Sequence, residues 1–328
     1  MLDVIRARRD AGSRPGHRTD GHCVGLAVEG GGMRGVVSSG MLAALLDLNC
    51  RSAFDLVIGA SAGAIGAAYF LTDTGWAAVS LYFKELVSSR FIRPLRAFSP
   101  RPVMSLDYLV DLVVEHLRPL DWQALAQSLI PLHIVAASLD SLSPVILAGL
   151  TSKAELSQAL RATACLPLIA GKPIDWEGDR LVDAAVLDGH PAMLGHLLGC
   201  SHVLALSTSP VRKRSGNPTL LDRYISIRLS RVRKGLGAAY LQRLGTYAAD
   251  RATLAASARE PATGPILFEI APSPVSPLPR RLDRRVGVLM EGALAGYSAA
   301  ASAIDGHQST AVLRLSTDPS AREVQRDG

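Results

Sequence analysis

The most constraining feature of this 328-residue chain is a pair of glycine-rich turns, each lying between a short apolar run and a helical pattern. Residues 24–29 predict a buried strand that ends at Gly30-Gly31-Gly32, and residues 35–48 then place apolar side chains at helical spacing. Residues 55–58 predict a second buried strand, followed by Gly59-Ala60-Ser61-Ala62-Gly63 and a helix of small residues. Two successive strand–turn–helix units indicate a mainly parallel sheet covered by helices on both faces.

The remaining sequence continues this alternation of strands and helices. Further strands are predicted at 132–139, 145–147, 180–182, 203–207 and 266–270, and further helices at 76–88, 106–117, 121–128, 154–164, 219–259 and 283–304. With 48% hydrophobic residues the chain can bury a full core. No run is both long and uncharged enough to predict a membrane-spanning helix.

Ser61 lies at the centre of the second turn, in the pattern Gly-x-Ser-x-Gly. Between a strand and a helix this pattern makes a sharp bend, with Gly59 and Gly63 permitting it, and lifts the serine hydroxyl above the sheet edge. The free N–H groups that begin the next helix then point toward the serine oxygen. Ser61 is therefore a candidate nucleophile, although a chain rich in Gly and Ala can also contain this pattern by chance.

The first turn, Gly30-Gly31-Gly32, exposes backbone N–H groups that no side chain covers, and such groups suit an anion. The anion could be a phosphate or the oxyanion formed during acyl transfer. The segment also matches the dinucleotide pattern G-x-G-x-x-G, but that site needs an acidic residue ending the next strand, and Asp55 begins it. A turn required only for close packing is the alternative.

A serine nucleophile needs a proton acceptor, and Asp183 is the best-placed candidate. It directly follows the predicted strand 180–182, whereas none of the eight histidines lies in a recognisable catalytic turn. The alternative is an ordinary turn aspartate.

Four sequence blocks resemble the motifs of patatin-like phospholipases. Glu-Gly-Gly-Gly-Met-Arg-Gly at 29–35 and Gly-Ala-Ser-Ala-Gly at 59–63 resemble the first two motifs. Residues 160–167 resemble the helix before the third motif, and 181–191 resemble that motif itself. The resemblance extends over about residues 24–207 and implies a three-layer α/β/α fold with a mainly parallel central sheet.

The same resemblance implies a role for each matching residue. Ser61 would be the nucleophile, Asp183 its base, and Gly59 and Gly63 the glycines of the nucleophile elbow. The oxyanion hole would consist of the loop residues Gly30, Gly31, Gly32 and Arg34, with the N–H groups of Gly31 and Gly32 as donors.

One departure from the family pattern follows the base. Ala184 stands where the family has glycine, and alanine would strain that turn if the turn required a positive φ. Asp188-Gly189 offers a rival aspartate, but Pro191 keeps the family spacing from Asp183.

The expected activity is hydrolysis of an acyl ester, in a phospholipid or lysophospholipid, through an acyl-Ser61 intermediate. A general carboxylesterase, thioesterase or acyltransferase is the first alternative, and a catalytically silent lipid-binding relative is the second. No ligand cluster is apparent in the sequence, so neither a metal nor a cofactor is expected.

Two basic segments, 212–234 and 280–285, predict contact with an anionic membrane surface. A solvated helix face, or a site for an acidic protein or nucleic acid, is the alternative, although nucleic acid is not an expected partner of a lipid hydrolase. Four separated cysteines without a C-x-x-C pair favour a reducing cytoplasm, with peripheral membrane contact.

The composition also predicts a division of the chain into four parts. Residues 1–22 contain five arginines and few apolar residues, and are expected to be a disordered basic tail. Residues 23–209 would form the patatin-like domain, and 210–316 a helical extension packed on it. Residues 317–328 would be a second disordered tail.

Overall fold

The structure is a computed structural model that describes residues 1–99, 101–211, 217–257 and 265–305. Within these residues eight strands form one sheet. The strands are β1 (Val24–Val28), β2 (Leu56–Ala60), β3 (Leu132–Ser138), β4 (Pro144–Leu147), β5 (Ile174–Trp176), β6 (Asp179–Asp183), β7 (His202–Leu206) and β8 (Ile266–Ile270). The α-helices are α1 (Leu2–Asp10), α2 (Val36–Asp47), α3 (Ala62–Leu71), α4 (Gly75–Leu81), α5 (Trp122–Ala126), α6 (Lys153–Thr163), α7 (Leu220–Val232), α8 (Leu236–Ser257) and α9 (Val286–Asp305).

The centre of the sheet is parallel, in the order β8-β7-β1-β2-β3. Side chains of β1 alternate between two cores: Leu26 and Val28 pack with α2, α3 and α9, whereas Ala27 packs on the opposite face with Leu254 of α8. Burial on both faces explains why β1 and β2 are uninterrupted apolar runs. The predicted three-layer α/β/α fold with a mainly parallel sheet is confirmed.

β2 and the antiparallel strand β6 pair with successive residues along the same edge of β3. Val135 of β3 pairs with Ala60 of β2 on one edge and with β4 on the other. The next residue, Ala136, pairs with β4 and with Asp183 of β6. Because β4 occupies one edge of β3 at both Val135 and Ala136, β2 and β6 share the other edge, and the end of β2 meets the end of β6.

The N-terminal segment is ordered, so the prediction of a disordered tail over residues 1–22 is wrong. Residues Leu2–Asp10 form α1, whose Ile5 is fully buried. Arg8 is also buried, and its guanidinium donates to Asp20, to Asp55 and to two backbone carbonyls. Arg8 and Arg18, two of the basic residues that suggested disorder, are therefore held by Asp55 of the folded domain.

The C-terminal third is partly strand rather than only helical. β8 joins the sheet beside β7, and α9 packs along α2. β8 and α9 therefore share one sheet and one core with the preceding strands and helices, and the division of the chain into 23–209 and 210–316 stays a prediction. The predicted tail at 317–328 lies outside the described residues.

Other boundaries differ from the predictions in length and helix type. The predicted helix 76–88 ends early, at Leu81. Residues Tyr108–Leu117 form a π-helix rather than an α-helix, which the spacing of apolar residues does not distinguish.

Candidate active site

Ser61 lies at the bend between β2 and α3, where its hydroxyl faces Asp183. Its backbone has φ 53° and ψ −130°, a strained conformation for a residue with a side chain. The bend is tight: a Cβ atom on Gly63 would lie 2.4 Å from the carbonyl oxygen of Val28. Ser61 Oγ donates a hydrogen bond to Asp183 Oδ2 over 2.7 Å, and both side chains are buried.

Asp183 is held in place by its own turn. Its Oδ1 accepts the N–H of Ala185 at 2.8 Å, which leaves Oδ2 for Ser61, and its N–H donates to the carbonyl of Cys165. Residues Ala184–Val186 form a 3₁₀ turn, and Ala184 does not have a positive φ. The strain that a required glycine would have implied is therefore absent at Ala184.

Thr163, the last residue of α6, holds the backbone of Ser61 through a hydrogen bond. Its hydroxyl accepts the N–H of Ser61 at 2.7 Å and donates to the carbonyl of Val135 in β3. Sequence reasoning did not single out Thr163, because a buried threonine that ends a helix carries no signal of a partner 102 residues away.

The glycine loop packs directly on the nucleophile. A Cβ atom on Gly30 would lie 2.7 Å from Ser61 Cβ and 2.5 Å from the carbonyl oxygen of Ala60, so only glycine fits there. Gly31 and Gly32 also line the cavity around Ser61. Arg34 lies across the loop, with Nε 3.3 Å from the hydroxyl of Thr208. The structure thus brings Gly30, Gly31 and Gly32 to the predicted nucleophile, whereas Arg34 contacts Thr208 and is not part of the cavity lining.

Glu29 supports this loop from the interior. Its Oε2 accepts the backbone N–H and the hydroxyl of Thr208, and its Oε1 accepts the hydroxyl of Tyr247. The carbonyl oxygen of Gly30 lies 3.0 Å from the Thr208 hydroxyl and is a second acceptor within reach of its single proton. Burial would raise the pKa of Glu29, but the hydrogen bonds and nearby positive charge outweigh it and lower the pKa to about 2. Glu29 is therefore a fixed anion that holds the loop.

His190 is fully buried and engaged elsewhere. Its Nδ1 accepts the N–H of Ala192, which places the ring proton on Nε2, 3.0 Å from the hydroxyl of Ser207. Burial lowers the pKa of His190 to about 4. Both ring nitrogens therefore have partners, and Asp183 is the acceptor that Ser61 contacts.

The rival aspartate, Asp188, lines the same cavity, but the hydroxyl of Ser61 bonds to Asp183 instead. Burial and the neighbouring carboxyl group of Asp250 raise the pKa of Asp188 to about 7. Asp188 also contributes its backbone carbonyl, which accepts a hydrogen bond from Arg243.

Opposing effects act on the pKa of Asp183, and the net result is a raised value. Burial raises the pKa of its carboxyl group above the ordinary value. The hydrogen bonds from Ser61 and Ala185, and the charges of Arg281 and Arg243, act in the opposite direction. A raised pKa makes this carboxylate a stronger base toward a hydroxyl than a solvated aspartate would be.

A cavity of about 570 Å³ opens above the Ser61 hydroxyl. Its lining is mostly apolar, as in sites that hold organic ligands. The apolar side chains include Leu81, Tyr82, Leu86, Phe91, Met104, Leu106, Leu109, Leu166 and Ile169. In the part of the chain that the structure describes, no group of three His, Cys, Asp or Glu side chains could hold a metal ion.

Comparison with known families completes the description of the site. Residues 26–195, more than half of the chain, match the family described as patatin-like phospholipase. The chain belongs to this family. Ser61, Asp183 and the glycine loop all lie inside the matched segment, whereas α7, α8 and α9 lie outside it.

Individual relatives are distant. The uncharacterized protein YjjU of Escherichia coli (strain K12) is 25% identical over 190 residues, which cover 57% of this chain and 52% of that protein. The chain thus matches about half the length of this relative. Among solved structures, VipD from Legionella pneumophila aligns with 12% identity and a TM-score of 0.44, covering 87% of this chain and 67% of VipD. Human GIVD cytosolic phospholipase A2 aligns with 13% identity and a TM-score of 0.47, covering 99% of this chain and 63% of the human chain.

Proposed function

We propose that the protein is a serine hydrolase of lipid acyl esters that uses Ser61 as nucleophile and Asp183 as base. The observation that carries this proposal is the 2.7 Å hydrogen bond from Ser61 Oγ to Asp183 Oδ2, placed at the wall of an apolar cavity. Membership of the patatin-like phospholipase family supports a lipid ester, in a phospholipid or lysophospholipid, as the substrate.

In the first step Ser61 Oγ attacks the carbonyl carbon of the ester, and its proton passes to Asp183 Oδ2. The carbonyl oxygen becomes an oxyanion, for which the N–H groups of Gly31 and Gly32 and the charge of Arg34 are the proposed stabilising groups. Collapse breaks the ester bond, Asp183 returns the proton to the leaving alkoxide, and an acyl-Ser61 ester remains. Water then attacks this ester with Asp183 again as base, which releases the fatty acid and restores Ser61.

The apolar side chains of the cavity would hold the acyl chain. Leu81, Leu86 and Phe91 follow α3 in the chain, and Leu166 and Ile169 follow α6, so two segments enclose the space beside Ser61. Burying each methylene of an acyl chain there contributes about 0.8 kcal/mol.

Labelling with a fluorophosphonate probe and hydrolysis of a fluorogenic lysophospholipid test the proposal. We expect labelling of the wild type and loss of hydrolysis by at least about 10³-fold in Ser61→Ala and Asp183→Asn. Asp179→Asn, at the far end of β6, is the matched control and should retain activity. Loss of activity in Asp188→Asn with retention in Asp183→Asn would transfer the role of base to the rival aspartate.

The same experiments separate the alternative functions. A carboxylesterase, thioesterase or acyltransferase would turn over short nitrophenyl esters or acyl-CoA faster than phospholipids. A silent lipid-binding relative would bind vesicles without reacting with the probe.

We also propose that α7 contacts an anionic membrane at the mouth of the cavity. Leu220, Leu221 and Ile227 expose 86%, 65% and 59% of their surface, and the exposed Arg223 and Arg231 lie on the same helix. Leu221 also lines the cavity, which would connect the bilayer to the site. No helix in the described residues is long and apolar enough to cross a membrane. Residues 212–214 of the predicted basic segment lie outside the described residues.

Sedimentation with vesicles of phosphatidylglycerol or phosphatidylcholine tests this contact. Leu220→Asp should weaken binding to the anionic vesicles, because an exposed apolar residue loses its place in the interface. Val275→Asp changes an apolar side chain that is 89% exposed and lies outside α7, and should have no effect. Equal binding to both lipids would contradict the electrostatic part of the proposal.

A further inference from the structure

Three arginines from outside the family-matched segment line the cavity that contains Ser61. Arg228 lies on α7 and donates to the hydroxyl of Tyr224 on the same helix, and the other two are Arg243 and Arg281. Arg243 belongs to α8 and Arg281 precedes α9, whereas the match ends at residue 195. Nothing in the roles proposed for Ser61, Asp183 and the glycine loop requires them. Their positions raise the question of what they bind.

The side chain of Arg243 is buried, with 9% of its surface exposed, and is fixed at two points. Its Nε donates to the carbonyl of Asp188 over 2.9 Å, and its guanidinium carbon lies 5.4 Å from the ring centroid of Tyr247. Tyr247 in turn donates to Glu29 beneath the glycine loop. The guanidinium is thus held rigidly beside the site without a bidentate partner.

Arg281 is fixed through its backbone. Its carbonyl oxygen accepts the N–H of Met33 at 2.9 Å, which ties this segment to the turn that follows the glycine loop. The residue is exposed and lines the cavity. The charges of Arg281 and Arg243 both reach Asp183, and Arg281 also acts on Arg243. Arg243, Arg281 and Asp183 therefore line one cavity, and both arginine charges favour the ionised form of the proposed base.

Arg243 differs from the other two buried arginines of the described residues, Arg8 and Arg251, which are both paired with carboxylates. Ion pairs with carboxylates are formed by Arg6, Arg8, Arg9, Arg18, Arg51, Arg118, Arg161, Arg180, Arg251 and Arg285. Within the described ranges, neither Arg243 nor Arg281 is within ion-pair distance of a carboxylate. A buried cation without a counterion is costly, and a bound anion would remove that cost.

We propose that Arg243 and Arg281 form a subsite for the phosphate group of the substrate. The enzyme would then select acyl esters that carry a phosphate close to the ester bond, such as a monoacylglycerol 3-phosphate, over the uncharged monoacylglycerol. Guanidinium groups suit a phosphate because they present several N–H donors in one plane, and two of them match the two charges of a phosphomonoester. An uncharged headgroup would leave both cations unpaired, so the site discriminates against it. This inference rests on the proposed hydrolase activity at Ser61.

The test compares hydrolysis of 1-oleoylglycerol 3-phosphate and 1-oleoylglycerol by the wild type, Arg281→Gln and Arg280→Gln. Arg280 is the matched control, because it is adjacent, exposed and outside the cavity lining. Losing one charge-assisted contact should lower kcat/KM for the phosphorylated substrate by about 10-fold or more. At a pH above the acidic limb of both enzymes, we expect this loss mainly in KM, a change within about twofold for the uncharged substrate, and partial recovery in Arg281→Lys.

Other outcomes overturn the subsite while leaving the hydrolase in place. Equal kcat/KM for the two substrates in the wild type would do so, as would an equal fall for both in Arg281→Gln. Failure of the fluorophosphonate probe to label Ser61 would instead remove the hydrolase.

Binding to the Ser61→Ala variant tests the subsite independently of activity. Calorimetric titration with 1-oleoylglycerol 3-phosphate should give binding that is lost in Ser61→Ala/Arg281→Gln and kept in Ser61→Ala/Arg280→Gln. No binding to Ser61→Ala overturns the subsite. Inorganic phosphate binding as tightly as the lipid would identify a site for free phosphate and would overturn the assignment to a lipid headgroup.

Discussion

Arg8 and Arg243 are both almost fully buried, but their surroundings differ. Arg8 lies against Asp20 and Asp55 and donates to two backbone carbonyls, so its charge is compensated within the protein. Arg243 has a single carbonyl and an aromatic ring, and it faces a cavity. Both arginines are charged and buried, so the presence of carboxylate partners is what distinguishes a structural arginine from one that is available to a ligand.

The largest expected effect concerns the structural arginine. Arg8→Met should reduce the free energy of unfolding by about 3 kcal/mol, because Asp55 and Asp20 lose their buried counterion. Urea denaturation at pH 7 measures this loss. Arg14→Met, an exposed arginine of the same segment, should change stability by less than about 0.5 kcal/mol. Equal stability of the two variants would show that the Arg8 cluster is not structural.

The stabilisation by Arg8 should also depend on pH. Burial raises the pKa of Asp55, but the N–H of Val24 and the guanidinium groups of Arg8 and Arg18 outweigh it and lower the pKa. Arg8 likewise lowers the pKa of Asp20. Carboxylates with a depressed folded pKa contribute stability above their unfolded pKa of about 4, and this contribution is lost as pH falls.

The stability difference between the wild type and Arg8→Met should therefore be constant near neutral pH. It should shrink between about pH 5 and pH 3. Urea denaturation over a pH series measures it, and a difference that stays constant in acid would contradict the linkage.

A smaller effect is expected on the pH dependence of catalysis. Asp183 must be ionised to accept a proton, and burial raises its pKa, so kcat/KM should rise with pH through a value above the ordinary range of an aspartate. The positive charge of Arg281 acts against this rise in the pKa of Asp183. Arg281→Gln should therefore move the acidic limb for an uncharged ester to higher pH. Arg8→Met and Arg280→Gln should leave the limb in place, and an unchanged limb in Arg281→Gln would contradict the proximity of the two charges.

The smallest expected effect is on the stability of Arg281→Gln. Its side chain is exposed and forms no ion pair with the described residues, so the free energy of unfolding should change by less than about 0.5 kcal/mol. A loss as large as that of Arg8→Met would place Arg281 among the structural arginines.

The sequence predicted the centre of the fold because local signals were strong there. β1 and β2 are apolar runs that end in glycine turns, and these turns fix where a helix begins. Asp183 was predicted as the partner of Ser61 from its position after a strand and from a family motif, because 122 residues separate the two and no local pattern links them. Whether Ala184 strains the turn after Asp183 depends on its φ angle, which the sequence does not give and the structure does.

Features that depend on distant contacts were missed. α1 is rich in arginine and was interpreted as disordered, since the partners of Arg8 lie 12 and 47 residues further along the chain. Arg243 and Arg281 were part of a helical pattern and a basic cluster, and neither pattern indicates which side chains reach a cavity. Thr163 and Tyr247 support Ser61 and Glu29 through single hydrogen bonds that leave no periodic trace in the sequence.

β6 follows β2 along the edge of β3, so the position of Asp183 relative to Ser61 depends on the number of residues in the turn before β6. The hairpin joining β5 to β6 is a two-residue turn, Glu177-Gly178, with both residues at positive φ. Successive residues of a strand point to opposite faces, so sliding β6 by one position would turn the carboxyl group of Asp183 away from Ser61. A one-residue insertion in this turn is thus expected to abolish the proposed activity while every proposed catalytic residue remains in the sequence.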